Sequence, residues 1–142
     1  MLAEVDEMVG DIVSNIPVHK RNNTVIIFTS DHGELAMEHR QYYKMSFYEG
    51  SARVPLVISG PNFQAGHKID SPATLLDIYP TLLDAAQLPY KAKLDGIGLN
   101  QATPPPPNRP IISHYHGEHM NSSAFMVYQE QMKLIYYTGK WL

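Results

Sequence analysis

Residues 24–44 read TVIIFTSDHGELAMEHRQYYK, and the fold turns on how this stretch is understood. Its first part is an apolar, β-branched run of the kind buried on both faces of a parallel sheet. Its second part gathers Asp31, His32, Glu34, Glu38, His39, Arg40 and Lys44 into one loop. In an open α/β sheet, ligands bind in the crevice outside the carboxyl ends of the strands, and Asp31 and His32 fall at that position. The expectation is an α/β fold with a charged site at the rim of its sheet. A second run, VPLVISG at 54–60, has the same character, and Pro61, Asn62 and Gly66 mark the turn after it.

Working outward toward the N-terminus, Leu2, Val5, Met8, Val9, Ile12, Val13 and Ile16 recur at helical spacing, so residues 2–16 read as an amphipathic helix that Pro17 ends. No N-cap or loop precedes it, which has the look of a cut edge. On the other side, Ser71-Pro72 reads as a helix start leading into ATLLDIYPTLLDAAQL. Pro80 predicts two short helices or a kink, with Leu75, Leu76, Ile78, Leu82, Leu83 and Ala86 toward the sheet. Residues 91–108 hold few apolar side chains and end in Pro104 to Pro107, a stiff connector that divides the chain into 1–103 and 104–142. Beyond it PIISHYH, SAFMVYQ and MKLIYYT predict a small antiparallel meander, and the chain stops in mid-pattern at Trp141-Leu142.

The composition of the 142 residues, 44% hydrophobic and 18% charged, is that of a globular domain with no apolar run long enough for a membrane span. A net charge of -3 gives no electrostatic reason to bind nucleic acid. With no cysteine the chain forms neither disulfide nor thiolate, and the acidic, periodic N-terminus is not a signal peptide. Two sequons, at Asn22 and Asn121, offer glycan acceptors if the chain enters the secretory pathway.

The chemistry of the loop is open at this level. Asp31 is a hard oxygen ligand suited to calcium or magnesium, whereas the imidazole of His32 more often marks zinc or another transition metal. Gly33 permits a sharp turn. His39, Arg40 and Lys44 add positive charge, and a metal with a lysine ammonium beside it would stabilise a compact oxyanion such as a phosphate or sulfate ester. Taken singly, Asp31 as a turn cap, His32 and His39 as ordinary surface histidines and Lys44 as a solvated cation serve equally well.

Taken together, SDHGE, EHRQYYK, YEGSARVPLVISGP, LLDIYPTLLDAAQLP and DGIGL resemble the second half of the catalytic domain of the sulfatase family, in the arylsulfatase K branch near iduronate 2-sulfatase. The resemblance implies a sulfatase-type α/β sandwich followed by the start of a small antiparallel subdomain. It implies sulfuric ester hydrolysis of a sulfated carbohydrate, such as a glycosaminoglycan sugar, or of an aryl sulfate, in a lysosomal or secreted setting. By the same resemblance Asp31 and His32 are ligands of calcium, Lys44 contacts the substrate sulfate and His39 stands at the pocket edge in a catalytic role. His116 matches a histidine that approaches the sugar or serves the structure, Glu49 and Arg53 brace the turn into the next strand, and Asp77 is structural.

The departure from the family is large. Its nucleophile is a formylglycine made from C/S-x-P-S/A-R, and that motif is absent, as are the early aspartate pair of the calcium site and the upstream lysine and histidine. The expectation is an incomplete segment that lacks the N-terminal half of the domain and is inactive alone. Two other readings stand beside it: a non-catalytic metal- or anion-binding module, and a phosphoesterase of the alkaline-phosphatase superfamily. The latter would hold two zinc or manganese ions on further histidines, and the YEGSARVP continuation argues against it.

Overall fold

A computed structural model describes residues 2–100, 104–117 and 122–139. Its elements are helix α1 (Leu2–Ser14), a short α2 (Val18–Arg21), strand β1 (Ile26–Thr29), a β2/β3 ribbon (Leu35–Ala36 and Tyr42–Tyr43), helix α3 (Glu49–Ala52), β4 (Leu56–Ser59), α4 (Ile78–Ala85) and the strands β5 (Ile111–Tyr115), β6 (Ala124–Gln129) and β7 (Met132–Tyr137). The helix expected over 2–16 is present, but none of its residues is buried, and Leu2, Met8 and Ile12 face outward.

The two apolar runs both form strands, and they pair with each other in antiparallel fashion, Ile26 opposite Ser59 and Thr29 opposite Leu56. This corrects the expectation of parallel strands buried on both faces: Phe28 and Val57 remain exposed. A parallel pair needs a crossover of a dozen or more residues, usually a helix. Between β1 and β4 the only helical pieces are a three-residue turn, Glu38–Arg40, and the four-residue α3. The chain therefore turns back instead of crossing over, a difference that apolar content cannot register.

The helix that follows starts later than Ser71. Thr74 is the cap, its hydroxyl accepting the Leu76 N–H at 3.2 Å, and Asp77 returns a carboxylate to the Thr74 N–H at 2.9 Å in a capping box. A single 3-10 turn, Leu75–Asp77, runs into α4, and Pro80 is the third residue of that helix, where its missing N–H leaves no intrahelical bond unmade. The side chains buried here are Asp77, Pro80 and Thr81; Leu75, Leu76 and Leu82, expected on the sheet side, are exposed.

The DGIGL segment packs on this polar face. The Ile97 N–H donates to Asp77 Oδ1 at 2.9 Å and the Leu99 N–H to Thr81 Oγ1 at 2.8 Å. Gly96 permits the approach, since a Cβ there would stand 2.0 Å from the Leu76 carbonyl oxygen. The C-terminal meander forms as expected, with β6 paired to β5 on one side and β7 on the other. Its inner face buries Ala124 and Met126 against Phe47, flanked by Ile111, Tyr115, Tyr128, Ile135 and Tyr137. Phe47 and the YEG segment after it are thereby anchored to the meander, next to the charged loop. Asn121 and Trp141-Leu142 lie outside the described residues, as do residues 101–103 at the expected boundary.

Candidate metal and anion site

Strand β1 ends at Thr29 and the chain leaves through Ser30, Asp31, His32 and Gly33. Ser30 Oγ donates to the His32 carbonyl at 2.7 Å, closing a tight local turn. Asp31 Oδ1 accepts the backbone N–H of His32 at 3.0 Å. That bond, more than any other influence, holds the Asp31 carboxyl below the usual carboxylate range, and the charge of Lys44 acts in the same direction. With 83% of its side chain exposed, Asp31 is an ionised group whose remaining lone pairs are open.

The imidazole of His32 is oriented by what surrounds it. Its Nδ1 lies 2.8 Å from the Gly33 carbonyl oxygen, which can only accept, so the proton is assigned to Nδ1. The Nε2 lone pair then faces Lys44 Nζ at 2.7 Å and Asp31 Oδ2 at 3.4 Å. A histidine that donates one ring N–H to a backbone carbonyl keeps a lone pair on the other nitrogen, the tautomer that ligates metals, and here that lone pair accepts from the Lys44 ammonium. Oδ2 and Nε2 are two acceptors facing one space that suits a cation, and Nε2 already accepts from Lys44 there. The ammonium of Lys44 stands beside it.

Gly33 serves by size more than by conformational freedom. Its N–H donates to the Ser51 carbonyl at 2.8 Å, and a Cβ would stand 2.0 Å from the Gly50 carbonyl oxygen. The loop beyond it doubles back through the β2/β3 ribbon, with Leu35 opposite Tyr43. Met37, His39, Arg40 and Tyr43 all have left-handed backbones in this return, a conformation that costs roughly 1–2 kcal/mol for an L-residue. Two acids offset part of that strain. Glu38 Oε2 accepts the Ala36 N–H at 2.6 Å and Glu34 Oε1 accepts the Tyr43 N–H at 3.1 Å. Glu34 and Glu38 are thus clamps of the ribbon.

The structure brings together Asp31, His32 and Lys44. The ring of His39 stacks on Tyr48 at 3.8 Å and lines a cleft of about 550 Å³ with Glu49, Arg53, Tyr128 and Lys133. His116 belongs to the meander, with Nδ1 at 2.7 Å from Ser123 Oγ and its ring beside His114 and Phe125. Arg53 reaches Glu49 at 3.5 Å, but the stronger partner of Glu49 is Lys133 of β7, which also donates to the Phe47 carbonyl at 2.9 Å. Glu49 therefore ties α3 to the meander as well as bracing the turn. Lys133 carries no local motif that would have singled it out.

For a divalent cation the donor set is chemically suitable and incomplete. An ionised carboxylate and an Nε2 lone pair released by Lys44 are competent ligands, but among the described residues no group of three or more His, Asp or Glu side chains converges. Calcium takes roughly six to eight oxygen ligands. Asp31 and His32 would supply two positions of a shell completed by groups outside these two residues.

Comparison with known proteins bears on this arrangement. A family model described as Sulfatase matches residues 1–88. Arylsulfatase K of Gallus gallus is 42% identical, the alignment covering 97% of this chain and 28% of that protein. The Homo sapiens arylsulfatase K is 41% identical with the same coverage of both. The chain spans about 28% of the length of these curated relatives. Among solved structures, one described as BT4656 in complex with its substrate D-glucosamine-2-N,6-O-disulfate superposes with a TM-score of 0.77 at 25% identity, over 96% of this chain and 30% of that one. A phosphonate monoester hydrolase from Silicibacter pomeroyi gives a TM-score of 0.80 at 22% identity, over 94% of this chain and 30% of its own, and shares the fold.

Proposed function

This chain belongs to the sulfatase family, and we propose that its residues 31–44 form the cation- and sulfate-binding face of a sulfuric ester hydrolase site. The observation that carries the reading is the meeting of three side chains at one atom: His32 Nε2 lies 2.7 Å from Lys44 Nζ and 3.4 Å from Asp31 Oδ2. Asp31 and His32 would hold a calcium ion, His32 Nε2 giving up its Lys44 partner to do so, and the ion would supply positive charge against the ester oxygens. Lys44 carries three N–H donors and no acceptor. One donor is directed at His32, and the others remain for the oxygens of a sulfate, whose negative charge an ammonium stabilises.

The substrate class is a sulfated carbohydrate, a glycosaminoglycan sugar foremost. Support comes from the structural relative whose described substrate is a disulfated glucosamine. A lysosomal or secreted setting accords with the exposed sequon at Asn22. The polypeptide by itself performs no turnover, because its sequence holds neither a cysteine nor the serine form of the formylglycine motif. The site is therefore a binding half whose chemistry requires a nucleophile from elsewhere.

The test is an assay of the purified 142-residue chain on an aryl sulfate, with NMR titrations of calcium and inorganic sulfate alongside. The expected result is no turnover, with weak, saturable shifts at Asp31 and His32 for calcium and at Lys44 for sulfate. Turnover at ordinary sulfatase rates overturns the inactivity; absence of both sets of shifts overturns the site. Tight calcium binding without turnover would favour a selected binding module.

A further inference from the structure

Asp31-His32-Gly33 and Lys44 arrive at the site from opposite ends of a strained return loop that Glu34 and Glu38 clamp from within, and a residue outside the loop bonds both of its ends as well. From its contacts we infer that Ser51, the serine of YEGSARVP, is the positioning residue that sets Lys44 against His32. The inference rests on the reading of this cluster as the anion site, but its geometry is independent of what binds there.

Ser51 is 3% exposed, and its carbonyl and its hydroxyl are both used toward the site. Its carbonyl oxygen accepts the Gly33 N–H at 2.8 Å, and its Oγ donates to the Lys44 carbonyl at 2.7 Å. The backbone N–H of Ser51 is spent on the Tyr48 carbonyl at 3.1 Å, in the first turn of α3. One buried residue thus grips one arm of the site by its main chain and the other by its hydroxyl. The absence of a Cβ at Gly33 lets the first arm lie directly on Gly50 and Ser51.

The two grips differ in what a substitution removes. Replacing the side chain leaves the Ser51 carbonyl, so the Asp31-His32 arm stays in place. It deletes the hydrogen bond from Ser51 to the Lys44 arm, whose backbone is then governed by a ribbon with four left-handed non-glycine residues. The prediction is a separation of functions: Ser51→Ala spares the calcium response of Asp31 and His32 and weakens the sulfate response of Lys44 by about three- to tenfold, as expected for one ordinary hydrogen bond.

The experiment uses the whole chain, labelled with ¹⁵N, and follows the Lys44 Nζ and His32 Nε2 resonances in Ser51→Ala, Ser51→Thr and the unaltered protein, with calcium and inorganic sulfate as probes. The hydroxyl-bearing Ser51→Thr should keep the Lys44–His32 contact, and Ser51→Ala should lose it while its calcium shifts persist. Should Ser51→Ala fail to fold, Ser51→Cys, nearly isosteric but a poor donor, is expected to give the same loss. A Lys44–His32 contact that survives in Ser51→Ala or Ser51→Cys overturns the inference. A contact that depends on the hydroxyl in a chain whose Lys44 never responds to sulfate upholds Ser51 as the positioning residue and overturns the sulfate reading instead.

Discussion

Asp31 and Asp77 are the same chemical group, each just beyond an apolar run, and the chain treats them in opposite ways. Asp77 is fully buried, and four donors meet its two oxygens: the Thr74 N–H at 2.9 Å and Arg109 Nη1 at 2.8 Å on Oδ2, the Ile97 N–H at 2.9 Å and Arg109 Nη2 at 2.8 Å on Oδ1. A carboxylate offers about four lone-pair sites, so nothing is left for a ligand. Asp31 receives one good backbone N–H, a long contact from Ser30 at 3.4 Å, and solvent. A saturated carboxylate joins distant parts of the chain, here α4, the DGIGL turn and the segment after the proline row. An open one beside an imidazole and a lysine ammonium is a place for something to bind.

The contrast breaks most easily at Asp77, where the largest effect is expected. Removing one partner of a buried ion pair strands the other, at a cost of about 3–5 kcal/mol. Asp77→Ala should lower the free energy of unfolding by that amount, since the Arg109 side chain is only 13% exposed. Arg109→Met should cost less, because two backbone N–H groups still meet the carboxylate. Urea denaturation of both variants and of the double variant checks this, with the double change expected to cost less than the sum. A loss below about 1 kcal/mol for Asp77→Ala would show that saturation is not what holds these segments together.

The same pair of residues marks how far the amino-acid sequence can be read. Local signals were sufficient for α1, for both apolar strands and for the meander, because hydrophobic period and turn residues act over a few positions. The direction of β1 against β4 was not, since both pairings use identical apolar content. The cluster at Asp31, His32 and Lys44 was legible from family motifs, and its geometry brings those three together while sending His39 to Tyr48 and His116 to Ser123. The partners that do the holding went unread. Arg109 lies 32 positions from Asp77, and Lys133 lies 84 positions from Glu49. No periodicity links residues so far apart; only the folded chain brings them into contact.

Glu49 is intermediate between the two aspartates, and pH sharpens its place. It is paired with Lys133, chiefly by a hydrogen bond that lowers its pKa from an ordinary 4.5, yet its side chain is 61% exposed. A carboxylate whose pKa falls on folding contributes stability above its unfolded pKa and loses it as the pH drops through its folded pKa. The Glu49–Lys133 pair should thus support the fold at neutral pH and fade on acidification below about 4.5. For so exposed a carboxylate the contribution should be at most about 1 kcal/mol. Thermal melts at pH 7 and pH 3 should show Glu49→Gln less stable than the unaltered chain at pH 7, with a smaller deficit at pH 3. An equal deficit at both pH values would assign the effect to packing.

Asp31 itself should give the smallest change in stability and the most selective change in binding. Asp31→Asn keeps an oxygen that can accept the His32 N–H, so the turn at the end of β1 survives, and a substitution at so exposed a side chain falls within about 0.5 kcal/mol. What it removes is the negative charge and the anionic oxygen that a cation would need beside His32. The calcium shifts at His32 should therefore weaken at least tenfold while the urea midpoint stays in place, the reverse of Asp77→Ala. If Asp31→Asn instead lowers stability by several kcal/mol, Asp31 is as much a joint of the chain as Asp77, and the open carboxylate loses its claim to a ligand.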